Sequence, residues 1–451
     1  MGGVSISLCV IARDEEALIG ACLDSARGVA DEALVVDTGS ADATARAARE
    51  HGARVETFQW RDDFAAARNV GLERARGSHV LVLDADEVLA PSAGAALRRA
   101  AADPRTLLCL LPLHDADALD APVDQVLSGA RRMWDPSWVG RFFRNDPRVR
   151  FRRRVHETVL AGVNECLTAG GGVVDALEAP IVHFGEVRAL RERRDKARRN
   201  TRLLELALRE DPGDGELAGY LAHEHYRQGR VPEARDVALR AFRPYLERLD
   251  AMPASVLKPV PVALGSALAV CQMQLCDAAG ALATVVAAAA RCTAPHPNLR
   301  FLEGVALERL GRPAEAERCL RDCLAMDGRR QLVPLNPGVT GPAARLRLAN
   351  VLLSLGRPRE ALAECEGLAG EYEAAGRLAR AEAELALGAP ERALTTLAPL
   401  MSDADPAPDL FALASGAAQA LGQADPAFAA AARGAPPARW IERRRARFVA
   451  E

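Results

Sequence analysis

An apolar stretch, Val80-Leu81-Val82-Leu83, runs straight into two carboxylates one residue apart, Asp84 and Asp86. A Val/Leu run of this length, bounded by turn residues, is the pattern of a strand buried on both faces in a helix-covered parallel sheet. Open α/β sheets present their functional groups at the carboxyl ends of the strands, where Asp84 and Asp86 stand. Side chains alternate along a strand, so both are predicted to project into one crevice. Two hard oxygen ligands suit Mg²⁺ or Mn²⁺, which is commonly held by one or two carboxylates together with the phosphates of a substrate. A strand that simply ends in a solvated acidic turn gives the same local pattern, so the surroundings decide.

The surroundings alternate strand and helix. Ser5–Ala12 reads as a first strand, Arg13-Asp14-Glu15-Glu16 as its polar exit, and Ala17–Arg27 as a helix. Ala33-Leu34-Val35-Val36 is a second strand ending at Asp37, followed by a Gly-containing turn with capping residues, Thr38–Thr44. Arg54–Phe58 is a short third strand. This order predicts a doubly wound α/β sheet. Neither Gly-x-Gly-x-x-Gly nor a Walker-type phosphate loop is present.

Arginines mark where an anion can bind. Arg68, after an Asp-Asp-Phe turn, can grip a phosphate bidentately or pair with Asp62 or Asp63. Residues 131 to 154 hold nine arginines against two acids, Asp135 and Asp146, with Trp134, Trp138, Phe142, Phe143 and Phe151 interleaved. Arg141 and Arg144 flank an apolar pair and, in an amphipathic strand, can face a diphosphate together. Arginine mixed with aromatics also suits nucleic acid, but a net charge of −3 over the whole chain argues against that use.

With these motifs in order, residues 5 to about 185 resemble the family 2 glycosyltransferases of GT-A fold. The resemblance rests on Asp14-Glu15-Glu16, Asp37, Asp84-Ala85-Asp86, Trp60–Asn69, Arg141-Phe142-Phe143-Arg144, Val155-His156-Glu157 and Val182-His183-Phe184-Gly185. The set is similar to the branch holding lipopolysaccharide-core glucosyltransferases and the sublancin-type glycocin S-glycosyltransferases. It implies a nucleotide-sugar site made by Asp14, Glu16, Asp37, Arg68, Asp84, Arg141 and Arg144, with UDP-sugar as donor. It implies a metal, Mg²⁺ or Mn²⁺, bound directly by Asp86, with Asp84 reaching ribose or the metal through water. His183, after the apolar stretch Ala179–Val182, completes the metal shell or is structural. Inverting transfer needs a group to remove the acceptor proton. Glu157 is the first candidate and His156 the second, and the alternative role for both is a buckle holding the acceptor loop. Asp115–Gly129 falls where such enzymes carry acceptor loops and reads as a lid.

The second half repeats. Gly229-Arg230-Val231-Pro232-Glu233-Ala234 recurs at Gly311, Gly356 and Gly388, and a worn copy sits near Asp277-Ala278-Ala279-Gly280. The spacing is close to the tetratricopeptide period of about 34 residues. In each copy Gly ends one helix and Pro opens the next, where its missing N–H costs nothing. Four or five helical pairs are expected between about 215 and 440, with Pro-rich breaks at 253–261 and 334–342. The predicted architecture is a GT-A domain over 1–188, a basic connecting helix over 189–214, and tetratricopeptide-like helices over 215–451.

The ten cysteines lack a Cys-x-x-Cys and read as reduced, buried thiols of a cytoplasmic protein. No basic-then-apolar leader opens the sequence, and no 18-residue apolar run occurs. The expected function is metal-dependent inverting transfer of a sugar from a nucleotide-diphosphate donor to a peptide or protein side chain gripped by the repeats. The alternative is a saccharide or lipid-linked acceptor, with the repeats serving as a homodimer arm or scaffold.

Overall fold

The structure is a computed structural model and describes residues 4–133, 135–187, 196–253, 256–326, 336, 338–402 and 408–422. Trp134, the first part of the basic connecting segment, parts of both Pro-rich breaks and the repeats after 422 lie outside the described residues. The strands are β1 (Ile6–Ala12), β2 (Glu32–Asp37), β3 (Arg54–Thr57), β4 (His79–Asp84), β5 (Glu87–Leu89), β6 (Thr106–Asp115), β7 (Ser137–Arg144), β8 (Val173–Ala176) and β9 (Ile181–His183). They form one sheet in the order β3-β2-β1-β4-β7-β6-β9-β5, with β8 paired to β6.

The first four positions are parallel and match the sequence expectation. Beyond β4 the sheet departs from a doubly wound plan, because β7 enters antiparallel between β4 and β6. The sheet is therefore mixed. The chain reverses across β1 and β4, and their carboxyl ends open a crevice at that switch point.

Alternation explains the apolar runs. Ile6, Leu8, Val10, Leu81 and Leu83 pack on one face of the sheet. Cys9, Leu34, Val80 and Val82 pack on the other, with Leu72 and Phe143. Both faces are covered, so both parities are almost wholly apolar; the buried Ser7 of β1 is satisfied by donating to Glu32 at 2.6 Å and accepting from the Gly77 N–H at 2.8 Å. Helix Phe64–Arg74 covers the second face. Asp63 caps it, accepting from the Ala66 N–H at 2.8 Å.

Two compact units divide the described chain, and the division does not fall at 188 or 215. One contains Met1–Glu224 and Arg243–Val260; the other contains His225–Phe242, Pro261–Gly328 and Leu335–Glu451. In the second unit, helices Val262–Gln274, Ala278–Ala289, Pro297–Arg309, Pro313–Ala325, Pro342–Ser354, Pro358–Cys365, Glu373–Ala386, Pro390–Leu397 and Pro408–Ala420 each pack on the next. Alternate helices also touch, as in a stack of hairpins. The turn glycines Gly311, Gly356, Gly388 and Gly422 have φ near +70°, the left-handed turn that ends each first helix. In the worn copy Cys276 takes that conformation instead, at φ 63°. Pro313, Pro358 and Pro390 open the second helices.

Among the described residues no helix is long and apolar enough to cross a membrane. All ten cysteines are free, and eight are buried. Leu81, fully buried at the centre of the parallel strands, tests the core. Leu81→Ala is expected to lower unfolding free energy by roughly 2–5 kcal/mol, measured by urea denaturation.

Candidate active site

The crevice is organised around buried charge. Asp84 ends β4, where β1 lies beside it and the Asp84 carbonyl accepts from the Cys22 thiol at 3.3 Å. Its carboxylate takes one arginine on each oxygen. Arg68 Nη2 donates to Oδ1 at 2.6 Å, and Arg141 Nη2 donates to Oδ2 at 2.8 Å. The Nε of Arg68 donates to Glu157 Oε1 at 2.5 Å, so one guanidinium joins helix Phe64–Arg74, β4 and the 150s loop. Arg141 also donates to Glu87 Oε1 at 2.8 Å, and the other oxygen of Glu87 accepts from the Asp84 N–H at 2.8 Å.

Arg141 reaches this position through an irregularity. Phe142 pairs with Cys109 and Gly140 with Leu110, leaving Arg141 as the extra residue of a β-bulge. Bulges of this kind re-aim a side chain beside functional sites. Arg144 does not reach the crevice. It is paired opposite His79, at the start of β4, and donates to the carbonyls of Thr106, Gly171 and Pro104. The expected pairing of Arg141 and Arg144 around a diphosphate is thus corrected: the Arg141 side chain goes to Asp84 and Glu87, and the Arg144 side chain goes to backbone carbonyls away from them.

The electrostatics follow from this packing. Burial works to raise the Asp84 pKa, but Arg141 and Arg68 overcome it and hold the carboxyl well below the usual range. Glu87 is 1% exposed. Burial pushes it up to about 7 despite Arg141, and the Asp84 charge adds to the push. Burial opposes the charged form of Arg68, yet Asp84 and Glu157 keep it protonated.

Asp86 faces elsewhere. β4 ends at Asp84 and β5 begins at Glu87, so Ala85-Asp86 form a turn and strand alternation does not extend to Asp86. Its Oδ1 lies 3.7 Å from His183 Nε2, while His183 Nδ1 lies 2.7 Å from Asp115 Oδ1. Register sets this group: Glu87 pairs with His183 across β5 and β9, and Asp115 pairs with His183 across β6 and β9. Burial disfavours a charged His183, but the bond to Asp115 and the charges of Asp86 and Glu87 outweigh it and lift the ring to about 9.

Gly185 keeps the approach to this pair open. A Cβ there would stand 2.3 Å from Asp86 Oδ2 and 2.5 Å from His183 Nε2. Among the described residues no group of three or more His, Cys, Asp or Glu side chains is arranged to hold a metal. Asp86 and His183 are a two-residue donor set. A hard divalent cation that keeps several oxygen ligands from substrate and water fits such a set. Asp115 on Nδ1 provides the usual support for a ligating imidazole.

The polar exits of β1 and β2 are laced together. Asp37 Oδ1 accepts from Ser40 Oγ at 2.6 Å and from the N–H groups of Ser40 and Gly39 at 3.0 and 3.3 Å. Asp14, in the left-handed region at φ 55°, accepts from the Ala41 N–H at 2.7 Å, and Glu16 accepts from the Ala43 N–H at 2.9 Å. Asp14 and Glu16 therefore shape the loop beside Asp37. His156, at φ 50°, stacks on Tyr220 with ring centroids 3.7 Å apart.

The Asp115–Gly129 segment has fixed partners. Ala116 bridges to Arg132, Arg131 pairs with Asp117 at 2.9 Å and Asp120 at 3.3 Å, and Val126 packs with Val182 and Phe184. Glu87 and Asp115 are the site residues that sequence reasoning missed. Asp115 ends an apolar run, Thr106–His114, by the same pattern that singles out Asp84. Nothing in the sequence marks the burial of Glu87.

Residues 7–126 match the family model described as glycosyl transferase family 2. A TPR repeat-containing protein of Synechococcus elongatus is 34% identical over 236 residues, 51% of this chain and 54% of that protein. The SPbeta prophage-derived glycosyltransferase SunS of Bacillus subtilis is 24% identical over 243 residues, 53% of this chain and 54% of its own. The chain spans about half the length of these curated relatives. A tetratricopeptide repeat protein structure from Parabacteroides merdae is similar at 16% identity and a TM-score of 0.39, covering 58% of this chain and 95% of that one. Residues 7–126 thus carry a glycosyl transferase family 2 match on the mixed α/β sheet, and the C-terminal part is a tetratricopeptide-like helical array.

The Arg141–Glu87 pair yields a stability test. Arg141→Met strands a buried carboxylate and is expected to cost about 3–5 kcal/mol. Arg141→Met with Glu87→Gln should cost clearly less than the two single changes added together. Urea unfolding of the four proteins measures the coupling, and strict additivity would deny the pair its role.

Proposed function

We propose that this chain is a glycosyltransferase that takes a sugar from a nucleotide-diphosphate donor, UDP-linked as the default, and passes it to a hydroxyl of a saccharide or lipid-linked saccharide acceptor. The observation that carries the reading is Asp84 at the end of β4, with Arg68 and Arg141 converging on its carboxylate, the strand lying within the segment that matches the glycosyl transferase family 2 model. A buried arginine–carboxylate lattice fixes the floor of the crevice before substrate arrives. Preorganised charge of this kind stabilises a transition state without reorganising during the step.

In this reading Asp37, held by the Ser40 turn, receives the nucleoside. Asp86 and His183 hold a divalent cation, Mg²⁺ or Mn²⁺, and binding through Nε2 requires His183 to give up the proton there. Such a cation supplies Lewis-acid stabilisation of the departing diphosphate. Arg141, the extra residue of the bulge, stands on the same side of the crevice through Asp84 and Glu87. Glu157 accepts the acceptor proton, and Arg68 orients it from 2.5 Å. The base role favours a hydroxyl acceptor, because a hydroxyl depends on proton removal far more than a thiol of pKa about 8.5 does. The repeats serve as a scaffold or homodimer arm. A peptide acceptor gripped by the repeats is the reading that acceptor trials with the full chain would restore.

Two variants separate the parts. Asp86→Asn is expected to abolish donor turnover and to remove the Mn²⁺-dependent part of UDP binding in calorimetry, while the protein still unfolds in a single cooperative transition. UDP binding that still responds to Mn²⁺ would remove Asp86 from the cation site. Glu157→Gln is expected to leave UDP binding near wild type and slow transfer by about 10²–10⁴-fold. A matching loss of UDP affinity would move Glu157 to the donor side.

A further inference from the structure

The loop that presents Glu157 is held from outside the sheet. Two of its residues, Arg153 at φ 77° and His156 at φ 50°, are non-glycine residues in the left-handed region. Each such residue costs roughly 1–3 kcal/mol and persists only where its surroundings over-determine it. The restraints come largely from helices Lys196–Glu210 and Gly215–Arg227. Arg153 Nε lies 2.6 Å from Asp214 Oδ2, and its Nη2 lies 2.6 Å from Glu216 Oε2. Arg154 pairs with Glu210 at 2.5 Å, and its carbonyl accepts from the Phe64 N–H at 2.9 Å. Val155 is buried, and the His156 ring lies flat on Tyr220, the two planes 6° apart.

The order matters. Residues 153, 154 and 156 are each fastened to residues between 210 and 220, and 157 is fastened to Arg68. Asp214 is itself fixed, because its Oδ1 accepts from the N–H groups of Glu216 and Leu217 at 3.1 Å and so caps the helix it starts. The close seat of Gly215 confirms the constraint: a Cβ there would fall 2.1 Å from the Tyr245 ring. These contacts lie within one compact unit, which runs through Glu224.

We propose that Tyr220 is a positioning residue for the reaction: its ring, with the Arg153–Asp214–Glu216 cluster, locks the strained 153–156 backbone and so sets where the Glu157 carboxylate stands. Helices Lys196–Glu210 and Gly215–Arg227 therefore belong to the catalytic apparatus and not to the repeat scaffold. The kinetic half of this proposal rests on the transferase reading; the structural half does not.

The test uses the full chain with Tyr220→Leu, Tyr220→Phe and Glu216→Gln. Tyr220→Phe keeps the flat face and should retain activity within about twofold. Tyr220→Leu should lower kcat about tenfold or more, the range expected when a general base is misplaced, with donor KM and UDP affinity unchanged. Glu216→Gln, which keeps the ring and removes one ion pair, should show a smaller loss of the same kind. Amide hydrogen exchange over residues 151–158 is measured on the same proteins without substrate, and Tyr220→Leu should raise it about tenfold or more in that segment alone. Unchanged exchange overturns the clamp, and faster exchange with an unchanged kcat overturns the positioning role. Loss of UDP affinity in step with kcat also overturns it. An unaltered chain that turns over no nucleotide sugar contradicts the transferase reading, while exchange still decides the clamp. If Tyr220→Leu does not fold, Glu216→Gln carries both measurements.

Discussion

The guanidinium of Arg68 is the interaction on which the site depends. It is nearly inaccessible to solvent, and it satisfies a carboxylate at the end of β4 and another on the 150s loop. A buried charge is tolerable only when its partners are in place, and removing one partner costs far more than the pair contributes net. Arg68 therefore couples three parts of the chain: helix Phe64–Arg74, the central strand and the loop that carries Glu157. Asn69 adds to the same seam. Its side-chain amide donates to the Phe151 carbonyl and accepts from the Phe151 N–H, both at 2.9 Å. Fixing Glu157 and fixing the sheet end become one act of folding.

A second charge group grows from strand register. β6, β9 and β5 lie side by side, and their ends bring Asp115, His183 and Glu87 abreast. Asp86, in the turn before β5, then meets His183. The two groups share Glu87, which reaches Arg141 directly and contributes to the charge felt by His183. A cation arriving between Asp86 and His183 would thus be felt at Arg141 and Asp84 through a carboxylate that has no access to water.

Much of this was legible where local rules decide the outcome. The apolar run Val80–Leu83 told of a doubly covered strand, and the Gly/Pro spacing after 300 of paired helices. The rules failed where a distant partner or an irregularity decides. Arg68 offered Asp62 and Asp63 as neighbours, yet it pairs with Glu157, 89 residues away. The bulge at Arg141 and the register of Arg144 are invisible in a run of arginines and aromatics. Asp86 was expected to follow strand alternation, but a turn inserted after Asp84 sends it to another partner. Cys276 shows the opposite lesson: the left-handed turn survives the loss of its glycine because the stacked helices impose it.

In the proposed reaction, Asp86 and His183 together hold the cation of a nucleotide-diphosphate complex beside the Asp84–Arg68–Arg141 lattice. The most direct measurement is a crystal structure of the full chain with UDP and Mn²⁺, using the anomalous signal of the metal. The account predicts a manganese peak within bonding distance of the Asp86 carboxylate and His183 Nε2, with diphosphate oxygens completing its shell. UDP bound in the crevice with the manganese elsewhere, or with no peak at that pair, would contradict it.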